Sequence, residues 1–137
     1  AGAAMHTINY QNTLILVATD CAATHGTAPT KPGTVAALQY EMLRDAPYAL
    51  TSDDLLVAVE AVRRGIGTDE HEALRAEIFA KPQACLRASP LVKTYGWGLH
   101  HDDLGRVALV GCDTSDYARM AADPALAKAP GMRSRRG

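Results

Sequence analysis

Between Thr13 and Thr19 the chain reads Thr-Leu-Ile-Leu-Val-Ala-Thr, an apolar run rich in β-branched residues and bounded by Asn12 and Asp20. It predicts a mostly buried strand. From Asp20 to Gly33 the pattern is lost among small polar residues, with Gly26, Pro29, Pro32 and Gly33. That composition marks a loop, and a loop so long inside a small domain is either functional or poorly ordered. Helical periodicity follows. Val35, Leu38, Met42 and Leu43 recur at three and four positions behind Thr34 as N-cap, and Pro47 stops the run. A second helix is capped by Thr51 or Ser52, carries Asp53 and Asp54 in its first turn against the dipole, and ends at Arg63-Arg64 before Gly65 or Gly67. Leu55, Leu56, Val59 and Val62 form its predicted inward stripe. A third helix spans residues 69–80, with Leu74, Ile78 and Phe79 inward and Pro82 closing it.

Ala84-Cys-Leu-Arg-Ala88 predicts a short strand cut off at Ser89-Pro90. Beyond it, residues 94–99 and 106–111 alternate in the manner of a β-hairpin. Tyr95, Trp97 and Leu99 share one face with Val107 and Leu109 across from them. His100-His-Asp-Asp-Leu-Gly105 supplies the turn. The opposite face of the first strand carries only Gly96 and Gly98. Glycine weakens a strand interior, so two at alternate positions require a helix packed close, a bulge, or a ligand against bare backbone. A last short helix opens at Thr114-Ser115-Asp116, and residues 123–137 are expected to be an extended or disordered tail.

Strands flanking a helical middle, without strict alternation, predict an α+β fold: a small antiparallel sheet with a hairpin in the C-terminal half, packed against three to four helices. At 137 residues the chain has the length of one domain. That domain is expected over residues 5–122, with Ala1–Ala4 ahead of Met5 read as an expression scar. The formal net charge of −1 gives no basic face for nucleic acid. The longest apolar run, Leu14 to Ala18, falls far short of the roughly 20 residues that span a bilayer. Cys21, Cys85 and Cys112 form no C-x-x-C pair and read as free thiols in a reducing compartment, the cytoplasm.

Several stretches carry a resemblance that covers most of residues 5–135. They are Met5-His-Thr-Ile-Asn-Tyr10, Asn12-Thr-Leu-Ile with Val17-Ala and Asp20-Cys21, Tyr48 with Thr51-Ser-Asp-Asp54, Ala61-Val-Arg63, Cys85-Leu-Arg-Ala-Ser-Pro-Leu91, Lys93-x-Tyr-Gly-Trp-Gly98 and Met132-Arg-Ser. Together they resemble a family of small, uncharacterised, mainly bacterial proteins. The resemblance implies one compact domain and no particular chemistry.

From the residues themselves, the strongest polar cluster is Arg87, Ser89, Lys93 and Tyr95. Two cations, a hydroxyl and a phenol can clamp a carboxylate or phosphate. With Gly96, Trp97 and Gly98 they outline a binding module for an anionic small molecule or peptide beside the hairpin. The bland reading makes Arg87 and Lys93 solvated ends, Ser89-Pro90 a turn and Trp97 a core anchor. An alternative is a small metal-assisted or hydrolytic enzyme using His100 and His101 with Asp102 or His25, although adjacent ligands on one turn rarely converge. A third reading is a homodimer formed through an exposed hairpin edge. No cofactor or resident metal is expected, and no nucleophile–base order is recognisable around the cysteines.

Overall fold

In the computed structural model, residues 6–135 are described; residues 1–4, read above as a scar, lie outside them. The chain begins with β1 (Thr13–Leu16), then α1 (Val35–Asp45) and α2 (Ser52–Arg64). A 3-10 turn (Thr68–Glu70) leads into α3 (His71–Ile78). A second 3-10 turn (Leu86–Ala88) leads into α4 (Pro90–Lys93). The hairpin β2 (Trp97–His101) and β3 (Val107–Gly111) follows, then α5 (Ser115–Ala122) and β4 (Ala127–Pro130).

The fold is α+β, and its sheet is mixed rather than antiparallel. Strand order is β3-β2-β1-β4, with β1 antiparallel to β2 and parallel to β4. The parallel partner comes from the segment expected to be a tail. Ala127 N–H bonds Asn12 O at 3.0 Å and Gly131 N–H bonds Leu16 O at 2.8 Å, bracketing β4 along β1.

The expected strand at Ala84–Ala88 is a 3-10 turn. Ser89 accounts for this: its Oγ accepts from Leu91 N–H at 3.1 Å and Pro90 opens α4. Proline at the first helical position has no N–H to lose, so the local sequence starts a helix here. In the hairpin, Asp102 organises the turn by accepting from the Leu104 and Arg106 N–H groups at 2.9 and 2.8 Å.

Thr51 caps α2 as expected, with a reciprocal bond from its own N–H to the Asp54 carboxylate. The inward stripe, however, is not a single one. Leu55 and Val59 enter a core with Ile15, Leu91, Leu99 and Val107, whereas Val57 and Ala61 enter another with Ile8, Ile78 and Phe79. A helix between two clusters buries two faces, and Val62, expected inside, is 55% exposed. Each fully buried Leu, Ile, Val or Phe here contributes about 1.5–3 kcal/mol of transfer free energy.

The outer edge of β3 is paired at its start. Tyr48, in the left-handed region at φ 58, lays residues 48–51 along it. Tyr48 N–H bonds Val107 O at 2.9 Å, Val107 N–H bonds Leu50 O at 2.8 Å, and Thr51 bridges to Arg106. At its Val107 end the hairpin edge is therefore paired by the chain itself.

Gly96 and Gly33 provide a matched test of close packing beside the hairpin. Both have positive φ, at 76 and 77, but a Cβ at Gly96 would run into the His25 carbonyl oxygen while one at Gly33 meets open space. Gly33→Ala is expected to cost about 1–2 kcal/mol from backbone strain alone. Gly96→Ala should exceed it by about 1–3 kcal/mol through overpacking. Urea denaturation of the two variants measures the difference, and equal costs would contradict the packing described.

Candidate functional site

The residues proposed around the hairpin do not assemble into an open groove. Ser89 is buried, and besides capping α4 its hydroxyl donates to Gln39 Oε1 at 2.6 Å. The Tyr95 carbonyl accepts from Thr27 N–H at 2.8 Å and from the Thr27 hydroxyl at 3.2 Å. Trp97 donates its Nε1–H to Thr27 O at 2.8 Å, and its ring lies 5.7 Å from that of Tyr40. Gly96 sits against His25 and Ala23, and Gly98 lies under the Tyr117 ring. The Tyr117 hydroxyl in turn accepts from Val17 N–H at 3.0 Å. Residues 20–33 and α5 thus fill the glycine face. Of the possible reasons for those glycines, the chain's own close approach is the one realised.

The histidines also separate. They are neighbours on β2, so the pleat sends them to opposite faces. His101 is wholly buried, with Nε2 3.0 Å from Ser52 Oγ, Nδ1 3.1 Å from Leu99 O, and the Tyr10 ring edge-on at 5.5 Å. Burial pushes its pKa down to about 4, so it is neutral at pH 7. His100 bonds through Nδ1 to the Tyr48 hydroxyl at 2.8 Å, and burial lowers its pKa as well. Asp102 is paired with Arg106 at 2.8 Å, and His25 lies by Gly96. Among the described residues no three His, Cys, Asp or Glu side chains are grouped to hold a metal ion.

Two of the three free thiols have polar neighbours. Cys85 Sγ lies 3.2 Å from the Tyr10 hydroxyl, and burial, then Cys85 itself, raise the Tyr10 pKa to about 12. Burial and the Asp113 charge push the Cys112 thiol up, away from thiolate.

One proposed residue does lie on a cleft. Arg87, with Thr19, Pro130, Gly131, Met132, Arg133 and Arg135, lines a recess of about 490 Å³. The chain builds it in three steps. After β4, Gly131 crosses so close to β1 that a Cβ there would stand 2.5 Å from Leu16 O. Met132 N–H then bonds Arg87 O at 2.8 Å. Finally the Asp20 carboxylate accepts from Ser134 N–H at 3.0 Å and Arg135 N–H at 2.9 Å. Arg87 Nε donates to Pro130 O at 2.6 Å, which fixes the plane of the guanidinium. Among the described residues its two terminal NH₂ groups have no protein acceptor. Three arginines thus line the recess, while the nearby Asp20 carboxylate faces backbone N–H groups.

Lys93 and Tyr95 do not line this cleft, while Arg133 and Arg135 do. Grouping by sequence distance missed them because Ala127-Lys-Ala-Pro130 lacks the β-branched and aromatic residues that announce a strand. The signal available was Met132-Arg-Ser, one of the stretches that carried the resemblance. A second recess, of about 440 Å³ between α2 and α3, has its charges matched internally. Arg64 pairs there with Glu60 at 3.1 Å and Glu77 at 2.8 Å.

Residues 5–137 match a sequence family described as a family of unknown function (DUF6157). No curated protein and no solved structure matches the chain.

Two outcomes follow from this geometry. The unfolded chain holds His101 at about 6.5, above its folded value of about 4. As pH falls from about 6.5 to 4 the unfolded state takes up the proton first, and stability declines by up to about 3 kcal/mol, then levels. Urea denaturation across that range should show the slope in the wild type and a smaller one in His101→Leu. Separately, Asp20→Ala should release the Ser134 and Arg135 amides, raising their hydrogen-exchange rates at least tenfold while β2 amides stay protected.

Proposed function

We propose that this chain, which belongs to the family of unknown function DUF6157, is a binding module for a small anion, a carboxylate or a phosphate monoester, held in the Arg87 cleft. The observation that carries this reading is that Arg87, anchored through its Nε to Pro130 O at 2.6 Å, lines one recess together with Arg133 and Arg135.

Exposed arginines are ordinarily solvated. Arg87 differs because its Nε is already anchored to Pro130, so the rest of the fork is presented in a fixed orientation and loses little freedom on binding. A guanidinium fork matches two oxygens of a carboxylate or phosphate, and such charge-assisted bonds are about twice as strong as neutral ones. The lining carries the Thr19 hydroxyl but no imidazole, thiol or carboxylate side chain. That set suits recognition rather than turnover. With a formal net charge of −1 over the whole chain, attraction is local to the cleft. A small anion fits it better than a polyanion, which would need a broad basic face.

No helix among the described residues is long and apolar enough to cross a membrane. A cytoplasmic setting is part of the proposal, supported by three cysteines that remain free thiols.

The test is a titration of the 15N-labelled protein with inorganic phosphate and with acetate, following the Thr19, Gly131 and Met132 amides. Saturable shifts are expected there, and Arg87→Gln should weaken binding roughly 10- to 100-fold, as loss of a charged hydrogen-bonding pair does. Unmoved amides, or a variant that binds as well as the wild type, would sink the reading.

A further inference from the structure

We infer that the anion taken by this cleft has an apolar body: an amphiphilic organic acid rather than an inorganic ion. The inference rests on the reading of the cleft as an anion site and adds the chemistry of the rest of the ligand.

The cleft is not lined by cations alone. Met132 is 47% exposed, one of four large hydrophobic side chains so exposed among the described residues. The other three are elsewhere: Tyr48 beside β3, Val62 on α2 and Leu104 in the hairpin turn. Single exposed apolar side chains are ordinary on a surface. Met132 is distinguished by its company, because it lines the same recess as three guanidinium groups and the Pro130 ring. Its backbone is held in place, N–H to Arg87 O at 2.8 Å, so its exposure does not come from a loose end. Thioether side chains are adaptable and serve well where ligands of varied shape must be covered.

The arginines contribute apolar surface as well. An arginine that lines a cleft brings a three-methylene stem as well as its charge. Gly131 adds bare backbone between Pro130 and Met132, and it cannot carry a side chain because Leu16 O blocks it. Cationic and apolar side chains lining one recess make a complementary pair for a head group and a short chain or ring. Phosphate or acetate would engage the cations and leave the apolar lining in water. The recess, at about 490 Å³, has the size of small-molecule sites in general.

Isothermal titration calorimetry of the full chain with octanoate and acetate, and with octyl phosphate and inorganic phosphate, tests this. Amide shifts at Thr19 and Met132 confirm where each probe sits. At least one long-chain probe should bind tenfold or more tightly than its short counterpart. Met132→Ser should remove most of that gain. The Met132 side chain is exposed, so the variant is expected to fold, and its urea midpoint verifies that. Arg87→Gln should weaken the long and short members of each pair alike. If long and short probes bind equally and both are weakened by Arg87→Gln, the amphiphile inference is overturned while the anion reading stands. If a chain-length gain survives Met132→Ser in full, the inference is likewise overturned. If Arg87→Gln changes nothing, both fall.

Discussion

β1 and the residues just after it are enclosed by other elements, and a buried backbone must find a partner for every N–H and C=O. Several distant segments supply them. Asn12 N–H goes to Asp102 O in the hairpin turn, and Asn12 O receives Ala127 N–H from β4. Leu16 O receives Gly131 N–H, Val17 N–H goes to the Tyr117 hydroxyl of α5, and Ala18 N–H goes to Val92 O of α4. Four separate segments are therefore registered against seven residues. Removing any one of them would strand polar groups beside Leu14 and Ile15, both fully buried, at a cost of about 1–3 kcal/mol for each group left unpaired.

This arrangement explains why the C-terminal segment is structured although its own sequence argues little for it. Ala127-Lys-Ala-Pro130 has neither hydrophobic payload nor β-propensity. It is held because β1 needs a partner on that side and because the edge it creates is blunted. Pro130 has no N–H, its carbonyl is occupied by Arg87, and the Lys128 ammonium turns back to the carbonyls of Asp123 and Leu126. Those devices leave little for a second chain to pair with. The same logic protects the other side of the sheet, where residues 48–51 cover β3 and Tyr48 accepts a strained backbone to do it.

What was legible in the sequence is what local chemistry decides. Thr34, Thr51 and Thr114 as caps, the Gly65 stop and the hairpin pairing all follow from short-range rules, and the structure has them. What was not legible depended on distant partners. Cys85-Leu-Arg has strand composition, but a capped turn at Ser89 wins over it. Val62 looks inward by spacing, but α2 is sandwiched and presents Val57 instead. Of the residues lining the cleft, Arg87 is the one that the local sequence pattern singles out as a site candidate. Its companions Arg133 and Arg135 are brought in by a carboxylate more than a hundred positions away in the chain, at Asp20. No periodicity encodes such a contact.

The location of the cleft follows from the one parallel pairing in the sheet. Two antiparallel neighbours send their chain ends to opposite sides, whereas β1 and β4 leave the sheet at the same end. Their continuations, Thr19-Asp20 and Gly131–Arg135, stay side by side, tied by the Asp20 carboxylate to the Ser134 and Arg135 N–H groups, and together with Arg87 they line the recess. Open α/β sheets likewise place ligands outside the carboxyl ends of parallel strands. Here the likeness is one of geometry alone, in a sheet with a single parallel pair. Asp20 then has a role that its charge by itself would not suggest. A carboxylate beside the proposed anion site would repel the ligand, yet this one is turned onto two backbone N–H groups and holds the segment that carries Arg133 and Arg135. On the proposed reading, the arginines of the cleft depend for their placement on a negative charge within its own wall.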